Sequence, residues 1–256
     1  MLPVLQIGPL ALQTAGLILV VGFWLAVEIA GRQGTQLGLD GGAIQNAGLY
    51  GALAGIVGAR VAYVLEYWPV YRENLLGIVS LNPQTLSLAP GIVVGLAVTV
   101  AYLQRKEMPA RPLLDAIAPG AAIFAATLAL ANLASGAAFG TETGVPWAIE
   151  LWDARRHPVQ LYEFAAALGM LAIVWRVGHR APAPGLRFLL FVALYGGSRL
   201  MLEPLRATSQ LLFGGFRAAQ VGGWLVTLIA LGLMPAWFRE AEKQSREPAA
   251  AEETRT

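Results

Sequence analysis

The sequence predicts an all-α protein that crosses a membrane about seven times, with its helices around a polar cavity that faces the outer leaflet. The first observation is composition, since 56% of the 256 residues are hydrophobic and only 13% are charged. Soluble domains carry about a quarter charged residues, so this chain has too few charges to cover a water-facing surface. The second observation is a series of long apolar runs, and the third is a set of ionisable residues inside them.

Seven runs are long enough to cross a hydrocarbon core of about 30 Å as helices, which takes about 20 residues each. They are continuously apolar rather than alternating with period two, which argues against an outer-membrane barrel. The predicted spans are, in chain order, Leu10–Ile29, Ala43–Leu65, Leu86–Leu103, Leu113–Ala131, Val159–Trp175, Phe188–Leu205 and Val221–Trp237. We expect one domain over residues 1–239 and a solvated, disordered cytoplasmic tail over residues 240–256.

No basic segment precedes the first run and no small-residue cleavage site follows it, so we expect it to remain as a span rather than to be removed as a signal peptide.

Gly and Ala are concentrated in residues 51–59 and 120–140. Small side chains allow neighbouring helix backbones to approach, so most of these glycines are expected to serve packing.

The distribution of basic residues predicts the orientation, because cytoplasmic loops collect Lys and Arg. Of the 18 basic residues, eleven fall in loops or ends on one side of the predicted spans and two lie within spans. The remaining five, on the opposite side, are Arg72, Arg155, Arg156, Arg206 and Arg217. We therefore expect the N-terminus outside and the C-terminus in the cytoplasm.

Two kinds of chemistry are excluded by composition. The chain contains no Cys, so it has no disulfide, no thiolate metal site and no Cys nucleophile, and any thiol must come from a substrate. We expect no metal and no cofactor. The formal charge of +2 comes without a basic, aromatic groove, which argues against a nucleic-acid partner.

The sixth predicted span carries a polar stripe. Tyr195, Arg199 and Glu203 recur every four residues and Arg206 follows three later, so we expect all four on one helix face near the outer surface. Ionisable residues inside a bilayer are costly and normally face a partner or a wet cavity. The simpler alternative is that Arg199 and Glu203 only neutralise each other and hold helices together.

Other spans place polar residues at the same predicted depth. Arg60 lies near the outer end of the second span, and HPVQLYE, from His157, opens the fifth span with Gln160 and Glu163 on one face. An arginine suits a phosphate because its planar fork donates two hydrogen bonds and stays charged. These residues therefore predict a cavity that binds a phospholipid head group from the surrounding bilayer.

Six stretches resemble, in order and spacing, a known bacterial family. They are GARVAYVLEYWP from Gly58, DAIAPG from Asp115, ANLASGAAFG from Ala131, RHPVQLYE from Arg156, LYGGSRLMLEPLR from Leu194 and AAQVGG from Ala218. The family is that of the phosphatidylglycerol:prolipoprotein diacylglyceryl transferases. The resemblance implies a seven-helix protein of the bacterial plasma membrane that takes phosphatidylglycerol from the outer leaflet. It then passes the diacylglyceryl unit to a lipobox cysteine of a prolipoprotein and releases glycerol 1-phosphate.

The resemblance also assigns roles to individual residues. Those expected in catalysis are Asn132, His157, Glu163, Arg199 and Glu203. Those expected to bind substrate are Gly140, Gln160, Tyr195 and Arg206. Arg60 is expected to join them because of its charge near the outer end of the second span, not because of the resemblance.

The chain departs from the family pattern at several positions. Ala89 replaces the family's His of the third span, and Ala129 and Ala137 replace an Arg and an acidic residue of the long outer loop. The family's Tyr of the first span has no counterpart near Gln13 and Thr14. These departures leave open a paralogue that binds phospholipid or a partner protein without turnover. A lipid or anion transporter is a third possibility, but no repeated halves are evident.

Overall fold

The computed structural model describes residues 4–7, 10–79, 85–178, 183–212 and 215–253. For residues 4–7, 10–12 and 244–253 it describes the backbone alone. Arg180 and Arg255, which belong to the predicted cytoplasmic charges, lie outside the described residues.

The described residues form eight α-helices and two short β-hairpins. Seven of these helices are long and apolar enough to cross a membrane, which confirms the all-α class and the number of spans. The helices are α1 (Thr14–Gln36), α2 (Gly41–Glu66), α3 (Trp68–Tyr71), α4 (Leu88–Arg105), α5 (Ala110–Ser135), α6 (Val159–Gly178), α7 (Leu186–Leu202) and α8 (Ala218–Glu253). The antiparallel strand pairs are β1 (Val4–Ile7) with β2 (Leu10–Gln13) and β3 (Ile149–Leu151) with β4 (Ala154–Arg156).

The first span begins later than predicted. Strand β2 pairs with β1, with Val4 opposite Gln13 at one end and Ile7 opposite Leu10 at the other. Helix α1 therefore begins only at Thr14. A short apolar run does not by itself distinguish a strand from the first turn of a helix. The apolar run that begins at Leu10 therefore contains a strand followed by the helix.

The last helix continues beyond the predicted span. Helix α8 extends through Glu253, where the sequence led us to expect a disordered tail from residue 240. Ala, Glu, Gln, Lys and Arg are frequent in this segment and have high helix propensity, and a helix that is already nucleated adds residues readily. Residues 254–256 of the tail lie outside the described residues.

Contacts within the chain divide it into two compact units. The smaller unit, Gly34–Pro109, contains α2, α3 and α4, and the larger unit comprises Met1–Gln33 and Ala110–Thr256. The single domain predicted over residues 1–239 stays a prediction.

In the smaller unit, α2 and α4 pack closely along small residues. A Cβ atom added at Gly91 would lie 2.8 Å from the carbonyl oxygen of Gly55, and one added at Gly95 would lie 2.7 Å from that of Gly51. Both distances are too short for a side chain in a close-packed interface. The close packing predicted for residues 51–59 is thus confirmed.

In the larger unit, α5 packs against both α6 and α7. Ala118 and Ala122 are completely buried and form a core with Met170 and Val174 of α6 and Phe191 of α7. Alanine side chains at these positions let the three helices approach closely. This core holds the helices that carry the predicted site residues.

One end of the larger unit is joined by buried polar residues. Asp115, near the start of α5, accepts hydrogen bonds from the backbone N–H groups of Gly185 at 2.6 Å and Phe188 at 2.9 Å. It thereby caps the first turn of α7. Arg187 donates a hydrogen bond of 2.6 Å to Gln33, near the end of α1. Helices α5 and α7 therefore both begin at this end and both finish at the opposite end, where α6 begins.

Candidate functional site

Charged side chains from α6, α7 and the segment after α7 meet at the end of the larger unit where α5 and α7 finish. The Glu163 carboxylate accepts hydrogen bonds from Arg199 Nη1 at 2.9 Å and from Arg206 Nη2 at 2.8 Å. Arg206 Nη2 also lies 3.2 Å from the second carboxylate oxygen. Glu163 therefore bridges two arginines, and we name Glu163, Arg199, Glu203 and Arg206 the arginine–glutamate cluster.

Glu203 is the second carboxylate of the cluster. Its side chain is only 3% exposed, and one of its oxygens lies 3.8 Å from Arg199 Nη1. The other oxygen accepts a hydrogen bond of 2.7 Å from the Ser209 hydroxyl. The Arg199–Glu203 pair that sequence spacing suggested is therefore present, but the shorter contact of Arg199 is with Glu163.

Arg206 reaches the cluster by a route that helical spacing does not describe. Helix α7 ends at Leu202 and a short 3-10 turn, Glu203–Leu205, follows. Pro204 explains this, because it has no backbone N–H to donate to the Leu200 carbonyl, so the helical hydrogen bonding stops after Glu203, which still donates to Arg199. Arg206 then has extended backbone angles and pairs with Gly140 in an isolated antiparallel bridge. The predicted helical stripe therefore ends before Arg206.

Several polar atoms at this end are buried without a hydrogen-bond partner in the described part of the chain. They are Nε of Arg199, Nε of Arg206, Oε2 of Glu203 and Oε1 of Gln160. Buried polar groups are normally paired, so unpaired donors and acceptors require an explanation such as a bound polar molecule. The two free Nε–H donors belong to arginines that are each 18% exposed. This arrangement suits an anionic ligand that accepts from both guanidinium groups.

Gly140 brings the loop after α5 against the rest of the site. A Cβ atom at this buried position would overlap the carbonyl oxygen of His157 and lie 2.9 Å from the His157 Cβ atom. The flanking backbone is paired, since the Thr141 N–H donates to the Leu205 carbonyl at 2.8 Å. The His157 N–H in turn donates to the Thr141 carbonyl at 3.0 Å. A side chain at position 140 would therefore separate backbone segments that position both His157 and Arg206.

Two predicted site residues lie where α5 ends and α6 begins. Gln160 is almost completely buried and donates a hydrogen bond of 2.9 Å from Nε2 to the Ala137 carbonyl. Asn132 lies in the last turn of α5, and its carbonyl accepts a hydrogen bond of 3.2 Å from the Ser135 hydroxyl. Gln160 thus ties the loop after α5 to the helix that carries Glu163.

His157 precedes α6 and contacts a tyrosine. Its Nδ1 atom lies 3.4 Å from the Tyr162 hydroxyl. That hydroxyl also accepts a hydrogen bond of 2.6 Å from the indole N–H of Trp147. The tyrosine therefore orients the imidazole, and either His157 tautomer can satisfy the contact.

Tyr195 lies one turn before Arg199 on α7. The Arg199 guanidinium carbon is 5.3 Å from the centre of the Tyr195 ring, within the range of a cation–π contact. The same ring stacks against Phe191 at 6.0 Å. Tyr195 therefore supports the Arg199 side chain from the core side of the helix.

Arg60 lies in the smaller unit, and its donors contact backbone there. Its Nε donates to the Ile78 carbonyl at 2.9 Å, and the guanidinium also donates to Gly77 and Thr85. The guanidinium carbon lies 5.3 Å from the centre of the Tyr71 ring. Arg60 therefore holds the segment that follows α3.

Some residues of the site were not singled out from sequence. Tyr162 and Arg156 lie inside the RHPVQLYE stretch, so their position beside His157 was the available signal. Arg156 donates to the Gly140 carbonyl at 3.4 Å. Ser209 and Arg217, which donates to the Arg206 carbonyl, carried no signal, because both lie in loops whose path depends on tertiary structure.

Comparison with known proteins decides the family. Residues 3–236 match the sequence pattern of the family described as prolipoprotein diacylglyceryl transferase. The chain belongs to this transferase family. It is therefore a multi-pass bacterial membrane protein, and the family resemblance of the sequence is confirmed.

Individual relatives agree over nearly the full length. The phosphatidylglycerol–prolipoprotein diacylglyceryl transferase of Bordetella parapertussis is 30% identical over 94% of this chain and 96% of its own. The enzyme of the same name from Streptococcus pyogenes is 30% identical over 89% of this chain and 91% of its own. The enzyme of the same name from Corynebacterium diphtheriae is 27% identical over 94% of this chain and 93% of its own.

The three alanines that the sequence resemblance suggested as departures from the family pattern have different surroundings. Ala129 is 2% exposed on α5, so a larger side chain there would have to displace neighbouring atoms. Ala137 is exposed, and its carbonyl accepts the hydrogen bond from Gln160. Ala89 is exposed in the first turn of α4, in the smaller unit.

Two open grooves in the larger unit, of about 420 and 490 Å³, lie away from the cluster. Their linings are mainly apolar side chains from the second half of α6, the first part of α7 and residues 234–239 of α8. Such surfaces are expected where spans face lipid tails. A polar cavity around the arginine–glutamate cluster stays a prediction.

Proposed function

We propose that this chain transfers a diacylglyceryl group from phosphatidylglycerol to the lipobox cysteine of a prolipoprotein, a step of lipoprotein biosynthesis. In this reaction the cysteine sulfur forms a bond to a glyceryl carbon while the bond from that carbon to a phosphate oxygen breaks. The thiol gives up its proton and glycerol 1-phosphate leaves. Membership of the transferase family supports the proposal, as do relatives named for this activity.

The observation that carries the proposal is the pair of arginines with unpartnered Nε–H groups, Arg199 and Arg206. Negative charge on the departing phosphate grows as the carbon–oxygen bond breaks. Two fixed cationic donors in a largely buried site stabilise that charge more than water does, because they need no reorganisation. Both arginines come from elements held by α5 and α6, so their separation is set by the fold.

The remaining predicted residues receive roles around these arginines. His157 or Glu163 accepts the thiol proton, since an imidazole and a carboxylate can both act as a base and both lie at the same end of the larger unit. Glu203, Gln160 and Tyr195 hold the arginines and the lipid head group in position. Two further residues complete the set: Asn132 as a polar donor and Gly140 as a close backbone contact. The binding of lipid by Arg60, which lies in the smaller unit, stays a separate prediction from the sequence.

We further propose that the cluster faces the outer leaflet, with the N-terminus outside and the tail in the cytoplasm. The uneven distribution of Lys and Arg supports this orientation. A reporter fused beyond Arg239 should then be cytoplasmic, and one inserted near Glu142 should be outside. The reverse pattern of reporter activity would contradict the proposal that the cluster faces the outer leaflet.

Purified full-length protein mixed with phosphatidylglycerol and a lipobox peptide tests the function. Mass spectrometry should detect peptide carrying one added diacylglyceryl group. A peptide with Ser in place of the lipobox Cys is the control, and it should stay unmodified because the hydroxyl is a poor nucleophile near neutral pH.

The alternative is a paralogue that binds phospholipid without turnover. It is favoured by Ala89, Ala129 and Ala137, which lack the titratable or charged groups of the family pattern. Binding of phosphatidylglycerol with no modified peptide would establish the alternative. Absence of both binding and modification would reject both.

A further inference from the structure

The arginine–glutamate cluster contains its own anion. Glu163 accepts hydrogen bonds from Nη1 of Arg199 and Nη2 of Arg206, and its side chain is only 5% exposed. A phosphate that binds both arginines through their planar forks needs donors on these same edges. Glu163 and a lipid phosphate therefore compete for the two guanidinium groups.

The charges of the cluster lead to the same conclusion. Two arginines and two ionised glutamates sum to zero, and none of the four side chains is more than 18% exposed. A phosphodiester would add one negative charge to this largely buried group. An uncompensated buried charge is costly, whereas uptake of one proton restores neutrality.

Glu163 is the carboxylate that loses most when a phosphate arrives. Its described hydrogen bonds all come from Arg199 and Arg206. Glu203 by contrast keeps its hydrogen bond from Ser209, which does not depend on the arginines. A displaced, buried carboxylate without cationic donors favours its protonated form.

We propose that Glu163 is the internal counter-anion that a lipid phosphate displaces, and that binding of an anionic phospholipid is coupled to protonation of Glu163. The inference rests on the proposed function, because it takes phosphatidylglycerol as the ligand. It assigns Glu163 a role in setting lipid affinity, in addition to any part in moving the thiol proton.

Other groups near Glu163 also carry charge or titrate. They are Tyr195, Arg199 and Glu203 of α7, Arg206 beyond it, Arg217, which donates to the Arg206 carbonyl, Arg156 beside Gly140, and His157 with Tyr162 at the start of α6. Arginine and tyrosine keep their charge state between pH 5 and 8, whereas the imidazole of His157 is a second group that could accept the proton. A test therefore has to separate His157 from Glu163.

Calorimetric titration of the full-length protein with dihexanoyl phosphatidylglycerol, from pH 5 to 8, provides the test. Runs in two buffers with different ionisation enthalpies measure proton uptake directly. Wild type should take up about one proton per lipid, and over the pH range in which this uptake is measured its affinity should decrease about tenfold per pH unit. The His157→Gln variant should keep this slope.

The Glu163→Gln variant should bind without proton uptake, with an affinity that is independent of pH and higher than that of wild type at pH 8. Glu142→Gln is the matched control, because Glu142 is 71% exposed and contacts Arg156 rather than the cluster. That variant should behave as wild type does.

Two results would overturn the inference while leaving the proposed function intact. One is lipid binding by wild type with no proton uptake at any pH. This measurement uses only the wild-type protein, so it does not depend on whether a variant folds. The other is weaker binding by Glu163→Gln throughout, which would mean that Glu163 positions the arginines rather than competing with lipid. If no variant binds the lipid and no peptide is modified, the proposed function fails, and this inference fails with it.

Discussion

Replacing Gly140 with alanine is expected to lower the rate of peptide lipidation by about 100-fold or more, the scale of loss when reacting groups are misplaced by about 1 Å. The added methyl group would overlap the His157 carbonyl and lie 2.9 Å from the Val159 Cγ2 atom. A backbone carbonyl cannot move aside as the end of a flexible side chain can. The bridge between positions 140 and 206 should then shift, and Arg206 with it.

Gly144→Ala is the matched control for this experiment. Gly144 belongs to the same loop and is exposed. A Cβ atom added there would meet no other described atom within 4 Å, apart from those of its chain neighbours. Neither glycine has a positive φ angle, so the φ angle is compatible with alanine at both positions, and the two variants differ in the space around the added methyl group. Similar rates for the two variants would mean that the packing at Gly140 does not position the site.

Replacing Arg199 with alanine is expected to weaken phosphatidylglycerol binding by about 100-fold, as for truncation of one partner in a buried charged contact. The change removes the unpartnered Nε–H and one of the two cations beside Glu163. Arg199→Lys should give an intermediate affinity, because lysine keeps the charge but lacks the planar fork. Titration with dihexanoyl phosphatidylglycerol measures both variants.

Arg111→Ala serves as the control for loss of an arginine. Arg111 contacts Glu240 at 2.7 Å and stacks over the Trp237 ring, at the start of α5 rather than at its end. Its side chain is 33% exposed, and exposed ion pairs contribute about 0–1 kcal/mol. Equal loss of lipid affinity in the Arg111 and Arg199 variants would contradict a phosphate role for Arg199.

Much of the architecture was predictable because it depends on local apolarity. A span needs only a long apolar run, so all seven helices were found from sequence, although their ends were not. Pro204 illustrates why the site was harder. Regular spacing placed Arg206 on the helix face, but the proline ends α7 early, and the bridge to Gly140 then positions Arg206.

The ion-pair partner of Arg199 could not be predicted from the sequence either. Spacing predicted that Arg199 faces Glu203, four residues later on the same helix, and this contact is present at 3.8 Å. The closer partner, Glu163, is 36 positions away in sequence. No rule of helical periodicity relates residues of two different helices, so only the packing of α6 against α7 decides that pair.

Sequence alone determined that this chain spans a membrane with seven helices, which family it belongs to and which polar residues lie within its spans. These follow from composition and short motifs, because a bilayer demands apolar runs and makes each buried charge conspicuous. Only the tertiary structure decided that Glu163 bridges Arg199 and Arg206, that Ser209 binds Glu203 and that Gly140 has no room for a side chain. Those contacts join segments far apart in the chain, and their geometry depends on how the helices pack.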